Sequence, residues 1–352
     1  MMKTETKFVT KTEEQIKVPT LLYLCKEDIK KVGGNRSDLY VEALTDALRL
    51  HGKKDFVQPL KPYLRAYGKE GHIADRIIAM PAYVGGDDPV SGIKWIGSKH
   101  DNPTVRGIER ASGLIIINDP NTNFPIAVME ASLISSMRTA AVTVVATKHL
   151  AKKAFKSVTI IGCGLIATKQ VQSLLEQFTQ IKEVHLFDLC RQTATSFAEG
   201  WKEQYPSVRF VIHETADSAV KQGEVIVPCT VTDKPYIEYS WLQKGAFVCN
   251  ISIMDVKKDV FLQADKVIVD DWEQANREKK VLNQLVVEGE FSKECLYAEL
   301  GEIVSGEKVG REHDDEIIIL NPMGMAIEDV ASAYAVYKRA VEKQVGTALN
   351  LY

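Results

Sequence analysis

The chain has 352 residues, enough for two domains, and its 45% hydrophobic and 26% charged content is that of an ordinary globular protein. A formal net charge of -3 and the lack of any basic run leave no electrostatic footprint for nucleic acid. No apolar run approaches the ~18 residues of a membrane span, and the opening MMKTETKFVTKTEEQ is charged with no apolar signal core behind it, so a cytoplasmic protein without membrane contact is expected. Cys25, Cys163, Cys190, Cys229, Cys249 and Cys295 form no CxxC pair. Several sit in apolar strand-like runs, which reads as buried reduced thiols. The seven histidines show no ligand spacing, so no metal is expected.

In chain order, SDLYVEALTDALRLH (37–51) has apolar residues at the spacing of an amphipathic helix, with Ser37 as its cap. HIADRIIAMP, SGIKWIG, SGLIIIND and FPIAVMEA read as strands of a mixed or antiparallel sheet, and MEASLISSMRTAAVTVVATKHLA (129–151) as a long helix. After about residue 155 apolar strands alternate with helices: SVTIIG, EVHLFD, VRFVIH, EVIVPCT, GAFVCNIS and KVIVDD. That rhythm predicts a doubly wound parallel sheet covered on both faces, hence an α/β protein. EIIILNPMG (316–324) is a later strand leading into a last helix, AIEDVASAYAVYKRAVEK, whose expected return to the first unit would make that unit discontinuous.

IIGCGLIA holds Gly162-x-Gly164-x-x-Ala167 after an apolar strand and at the start of a helix, the context in which glycines admit a pyrophosphate to a helix N-terminus. Asp188 ends the following strand, where a carboxylate accepts from ribose hydroxyls and repels a 2′-phosphate; NAD is therefore favoured over NADP, with Arg191 nearby softening the repulsion. Three further residues stand out. Lys94, between Ile93 and Trp95, is by strand alternation a solvated residue, or else a cation aimed at substrate. Arg138 interrupts a small, apolar helix segment, a costly place unless a carboxylate pairs with it. Asp255 lies past the carboxyl end of a sheet strand, where ligands of such sheets bind, although a loop aspartate also serves as a cap.

GIKWIG, IAVMEASLISSMRTAA, IIGCGLIA, CTVTDKPYI, AELGEIVSG and NPMGMAIED, in this order, resemble the ornithine cyclodeaminase and mu-crystallin family over nearly the whole chain. The resemblance implies a substrate and dimerisation domain from 1–145 with 325–352, an NAD-binding Rossmann domain from 146–324, and a homodimer. It implies that Lys94 and Arg138 hold an amino acid's carboxylate, with Lys94 counted among the catalytic residues, and that Asp255 handles the substrate amine. Around NAD it implies Arg138, Gly162, Cys163, Gly164, Leu165, Ile166, Asp188, Cys229, Thr230, Val231 and Met323, with Pro322 and Gly324 beside Met323. The chain departs from the cyclodeaminases in carrying Lys61, Arg76 and Lys99, cations that suit a substrate with several carboxylates unless neighbouring acids pair with them. In this it is similar to a siderophore-pathway branch of the family, which implies oxidation of N-(1-amino-1-carboxyl-2-ethyl)-glutamate to 2,3-diaminopropionate and 2-oxoglutarate. A cyclodeaminase with catalytic NAD, an imine reductase, and a nicotinamide-bound protein with little turnover stay open as alternatives.

Overall fold

The computed structural model describes residues 20–65 and 75–351; the charged opening stretch and the first residues of HIADRIIAMP lie outside that range. Two eight-stranded sheets organise the described chain. In the first, the order is Thr347–Leu349, Leu21–Leu24, Pro125–Glu130, Ala111–Asn118, Val90–Ser98, Arg76–Val84 and Phe56–Val57, with Tyr63–Leu64 also on Arg76–Val84. Its four long strands are antiparallel, and Leu21–Leu24 runs parallel to Pro125–Glu130. Helix Ala326–Glu342 lies on three of those long strands, and helix Ser37–Gly52 packs on it and on helix Ala131–Leu150.

The second sheet is parallel throughout, as the alternating pattern predicts. Its order is Arg209–Ile212, Glu183–Phe187, Ser157–Ile161, Val225–Pro228, Phe247–Cys249, Ile318–Asn321, Lys266–Val269 and Ala298–Glu299. Runs such as VIVP and KVIV are buried at every position, which a sheet covered on both faces requires. The chain leaves Ser157–Ile161 for Glu183–Phe187 on one side and later reaches Val225–Pro228 on the other, so the strand order reverses there. Ligands bind at such a reversal, outside the carboxyl ends of the strands. Helix Ala131–Leu150 is buried nearly all round and touches both sheets, so its Ala- and Val-rich sequence has no polar face to keep wet.

Three local expectations are refined. Ser37 is the first helical residue rather than the cap; Arg36 stands at the cap, and the Ser37 N–H donates to Glu176 Oε2 at 2.8 Å. All six cysteines are free: Cys163 and Cys249 are buried, Cys25 and Cys229 half-buried, and Cys190 and Cys295 exposed. The alternation in Val90–Ser98 is inverted: Lys94 is 2% exposed and paired in register with buried Met80 and Ile115, whereas Trp95 is 44% exposed. The outer face of this sheet is apolar, with Trp95 beside Leu114 and Ile93 between Pro81 and Ile116, so the polar position faces inward.

Candidate active site

A cavity of about 840 Å³ lies between the two sheets. Its floor is the inward face of two neighbouring strands, where Arg76, Ile78 and Met80 run beside Ser98, Ile96 and Lys94. Helix Ala131–Leu150 brings Ser135, Ser136 and Arg138 to its wall, and the loops after the parallel strands bring Thr230, Ser252 and Met323.

Lys94 and Arg138 meet at one end, held by two acids at the start of helix Ala326–Glu342. Arg138 Nε donates to Asp329 Oδ1 at 2.8 Å and Nη1 to Glu328 Oε2 at 2.7 Å. Lys94 Nζ lies 2.6 Å from Asp329 Oδ2 and donates to Ser135 Oγ at 3.1 Å. The cost of a buried arginine is thus met by protein carboxylates; Asp329 closes the GMAIED stretch of the family resemblance, but the sequence assigns neither it nor Glu328 a partner, since acids are common in a first helical turn for dipole reasons alone. Lys61 Nζ donates to the carbonyls of Met323 and Gly324 at 2.9 and 2.7 Å, and Asp270 Oδ2 accepts from the N–H groups of the same two residues. Burial pulls Lys94 down to about 8 against the attraction of Asp329, and Lys61 down to about 8 against that of Asp270.

Asp255 is fully buried and does not itself line the cavity. Thr230 Oγ1 donates to its Oδ1 at 2.5 Å, Tyr236 OH donates to the same oxygen at 2.9 Å, and Ser252 Oγ donates to Oδ2. Burial raises its pKa above the ordinary aspartate value, with the three hydroxyls opposing. Thr230 and Ser252 do line the cavity, so their hydroxyls stand between Asp255 and the cavity. Between Ser252 and Asp255, Ile253 adopts φ +63°, a left-handed conformation that a β-branched residue takes only under constraint.

The dinucleotide loop fits its cofactor on structural grounds. Gly162 has φ +85°, and a Cβ there would stand 3.2 Å from the Cys229 carbonyl group. At Gly164 a Cβ would meet nothing within 4 Å, leaving an open cradle at the N-terminus of helix Leu165–Gln177, whose cap supplies no side-chain bond. Leu165 and Ile166 open this helix on the cavity, opposite Cys229 and Val231, while Gly162 and Cys163 stand outside it. Asp188 Oδ2 accepts from Cys163 N at 2.8 Å and Oδ1 from Cys190 N at 2.9 Å, which ties the loop to the next strand. Arg191 is paired with Glu214, so its charge is not directed at Asp188.

Of the extra cations, Lys61 and Arg76 line the cavity and Lys99 does not. Lys99 is instead a paired surface lysine: its Nζ lies 2.8 Å from Asp75, just before the neighbouring strand, and 3.5 Å from Asp101 in the turn that follows its own. Arg65, Arg110 and Lys280 line the cavity instead, with Glu278. They come from loops and strand ends without periodicity, so no sequence pattern marks them.

The model of the ornithine cyclodeaminase/mu-crystallin family matches residues 28–344. The chain belongs to this family. The N-((2S)-2-amino-2-carboxyethyl)-L-glutamate dehydrogenase of Staphylococcus aureus (strain NCTC 8325 / PS 47) is 64% identical over 94% of the chain and 99% of its own length. Among solved structures, an archaeal alanine dehydrogenase dimer with bound NAD superposes with a TM-score of 0.84 at 31% identity, covering 95% of this chain and all of that one. The Thermococcus litoralis Delta(1)-pyrroline-2-carboxylate reductase in complex with NADH and L-proline gives 0.85 at 28% identity, over 93% of this chain and all of that one. These members of the family are dehydrogenases and reductases of amino or imino acids.

Proposed function

We propose that the chain is an NAD-dependent dehydrogenase that oxidatively cleaves N-(2-amino-2-carboxyethyl)-L-glutamate to 2,3-diaminopropionate and 2-oxoglutarate, for siderophore synthesis. The observation that carries this is the cavity itself, which joins a dinucleotide loop to a wall far richer in cations than one amino-acid carboxylate needs. The 64% identity to the Staphylococcus aureus enzyme supports the same substrate.

Gly162, Cys163, Gly164, Leu165, Ile166 and Asp188 hold NAD, with Cys229, Thr230, Val231, Met323 and Arg138 toward its nicotinamide half; bound there, it supplies the hydride acceptor for the glutamate α-carbon. Lys94 and Arg138 grip the carboxylate beside that carbon and fix its orientation. Lys61 sets the Met323–Gly324 turn between the two units and adds positive charge. The secondary amine must lose a proton before the carbon can be oxidised. That proton leaves to the Thr230 or Ser252 hydroxyl, which passes its own to Asp255. Water then adds to the iminium carbon, and Asp255 returns the proton as the carbon–nitrogen bond breaks. Substrate, NAD+ and water thus give 2-oxoglutarate, 2,3-diaminopropionate, NADH and one proton.

We further propose that units of 1–145 with 325–352 and 146–324 bind substrate and cofactor respectively, in a cytoplasmic homodimer that meets through the apolar outer face of the first sheet. No helix among the described residues is long and apolar enough to cross a membrane. The function is tested by incubating the purified chain with NAD and the tricarboxylate. NADH and 2-oxoglutarate are expected in equal amounts; proline formed from ornithine without net NADH, and no reaction with the tricarboxylate, would refute it.

A further inference from the structure

The cavity floor is cationic at both ends and apolar between. Lys94 shares a row with Met80, and Arg76 shares a row with Ser98, four positions along the same strands. At roughly 3.3 Å per residue those rows are about 13 Å apart. Ile78 and Ile96 occupy the floor between them. Arg110 precedes the strand residue Ala111 that pairs with Ser98, so it stands at the Arg76 end. Lys280, a residue of the second unit, reaches the same end and is only 6% exposed. The charges there are partly desolvated and repel one another: burial first and Arg76 next lower the pKa of Arg110, and burial with Arg76 and Arg65, against the attraction of Glu278, brings that of Lys280 to about 7.

An anion site alone would not need an acid beside its cations. Glu278 lines the same end and is held by Arg65, whose guanidinium also lies 4.7 Å over the Tyr63 ring. Glu278 and Lys279 are consecutive non-glycine residues with positive φ, +65° and +53°. Two such residues in a row are strained, and such strain persists where surrounding structure fixes a functional conformation. Cations beside a constrained carboxylate complement a group bearing both an acid and an ammonium.

We propose that Arg76, Arg110, Lys280 and Glu278 form a second subsite that binds a zwitterionic α-amino-acid head group, the amino-carboxyethyl arm of the substrate. This rests on the function proposed above and assigns the arm to this end, with the α-carboxylate of the glutamate half at Lys94 and Arg138. The cations take the arm's carboxylate, and Glu278 takes its primary ammonium. Because Lys280 and Glu278 come from the second unit and Arg76 and Arg110 from the first, only a substrate carrying the arm engages both units at this end.

The test compares three substrates in the full-length enzyme with NAD: the complete tricarboxylate, N-ethyl-L-glutamate, which lacks the arm's two charges, and an analogue lacking only the glutamate side-chain carboxylate. Glu278→Gln and Lys280→Met are each expected to reduce the kcat/KM preference for the complete substrate over N-ethyl-L-glutamate by about 10- to 100-fold, the range expected for a lost charged hydrogen bond. NAD affinity, followed by fluorescence titration, reports that each variant is folded. A preference unchanged in folded variants overturns the subsite. So does a loss that follows the side-chain carboxylate instead of the arm. Wild-type enzyme that releases no 2-oxoglutarate from the complete substrate refutes the proposed function, and the subsite with it.

Discussion

Arg138 enters the cavity with its charge opposed by Glu328 and Asp329, and Lys94 shares Asp329. Removing one member of a buried ionic cluster leaves the others uncompensated, so Arg138→Met should cost about 3–5 kcal/mol of stability as well as activity, measured by chemical denaturation. Unchanged stability would show that the cluster is not desolvated. At Asp255 the expectation differs: Asp255→Asn keeps NAD affinity but loses about 10²- to 10⁴-fold in turnover, read by titration and steady-state assay. Turnover equal to wild type would remove Asp255 from the mechanism. The pH profile follows from the same groups. Asp255 must be ionised and its pKa is raised, so kcat/KM climbs with pH through a value above the usual aspartate range. Lys61 and Lys94 must be protonated and their pKa values are lowered to about 8, so kcat/KM falls as pH passes that value, after a first decline near 7 from the Lys280 of the arm subsite. A plateau extending to pH ~10, the ordinary lysine value, would contradict the desolvation of both lysines. Arg138 and Asp255 could be singled out from sequence because a charge in an apolar helix or past a strand end needs a reason. Lys94 could not be oriented that way, since alternation gives two faces without saying which is wet.

The strand–loop–helix around Gly162 and Gly164 separates two kinds of glycine. Gly164→Ala places a methyl group in open space where the cofactor approaches, so it should leave stability near wild type and weaken NAD binding at least tenfold, about 1.4 kcal/mol. Gly162→Ala forces an alanine to φ +85° against the Cys229 carbonyl and should also cost about 1–3 kcal/mol of stability. Paired calorimetry and thermal melts distinguish them; equal stability losses in both would contradict the geometry. The long strands and helices were legible because burial on one or both faces imposes a period or an apolar run. Phe56–Val57, Tyr63–Leu64 and Ala298–Glu299 are two residues long, too short to carry any period, and they are held by the strands beside them.

At the scale of the molecule, strand Thr347–Leu349 pairs antiparallel with Leu21–Leu24, so both ends of the described chain close the edge of the first sheet. The apolar outer face of that sheet was not legible in the sequence, because it depends on which face of Val90–Ser98 points out. Trp95→Glu, or Leu114→Glu, should convert the proposed dimer to a monomer in sedimentation without unfolding it, since both side chains are nearly half exposed in one chain. A dimer that survives both substitutions would place the interface elsewhere. The chemistry itself turns on which carbon is oxidised, and deuterium at the glutamate α-carbon of the tricarboxylate reads this directly. The label should pass to the reduced cofactor, with a primary isotope effect on a committed hydride step and unlabelled 2-oxoglutarate as product. Unlabelled NADH accompanied by deuterated glutamate would mean oxidation on the other side of the nitrogen and would contradict the placement of the α-carboxylate at Lys94 and Arg138.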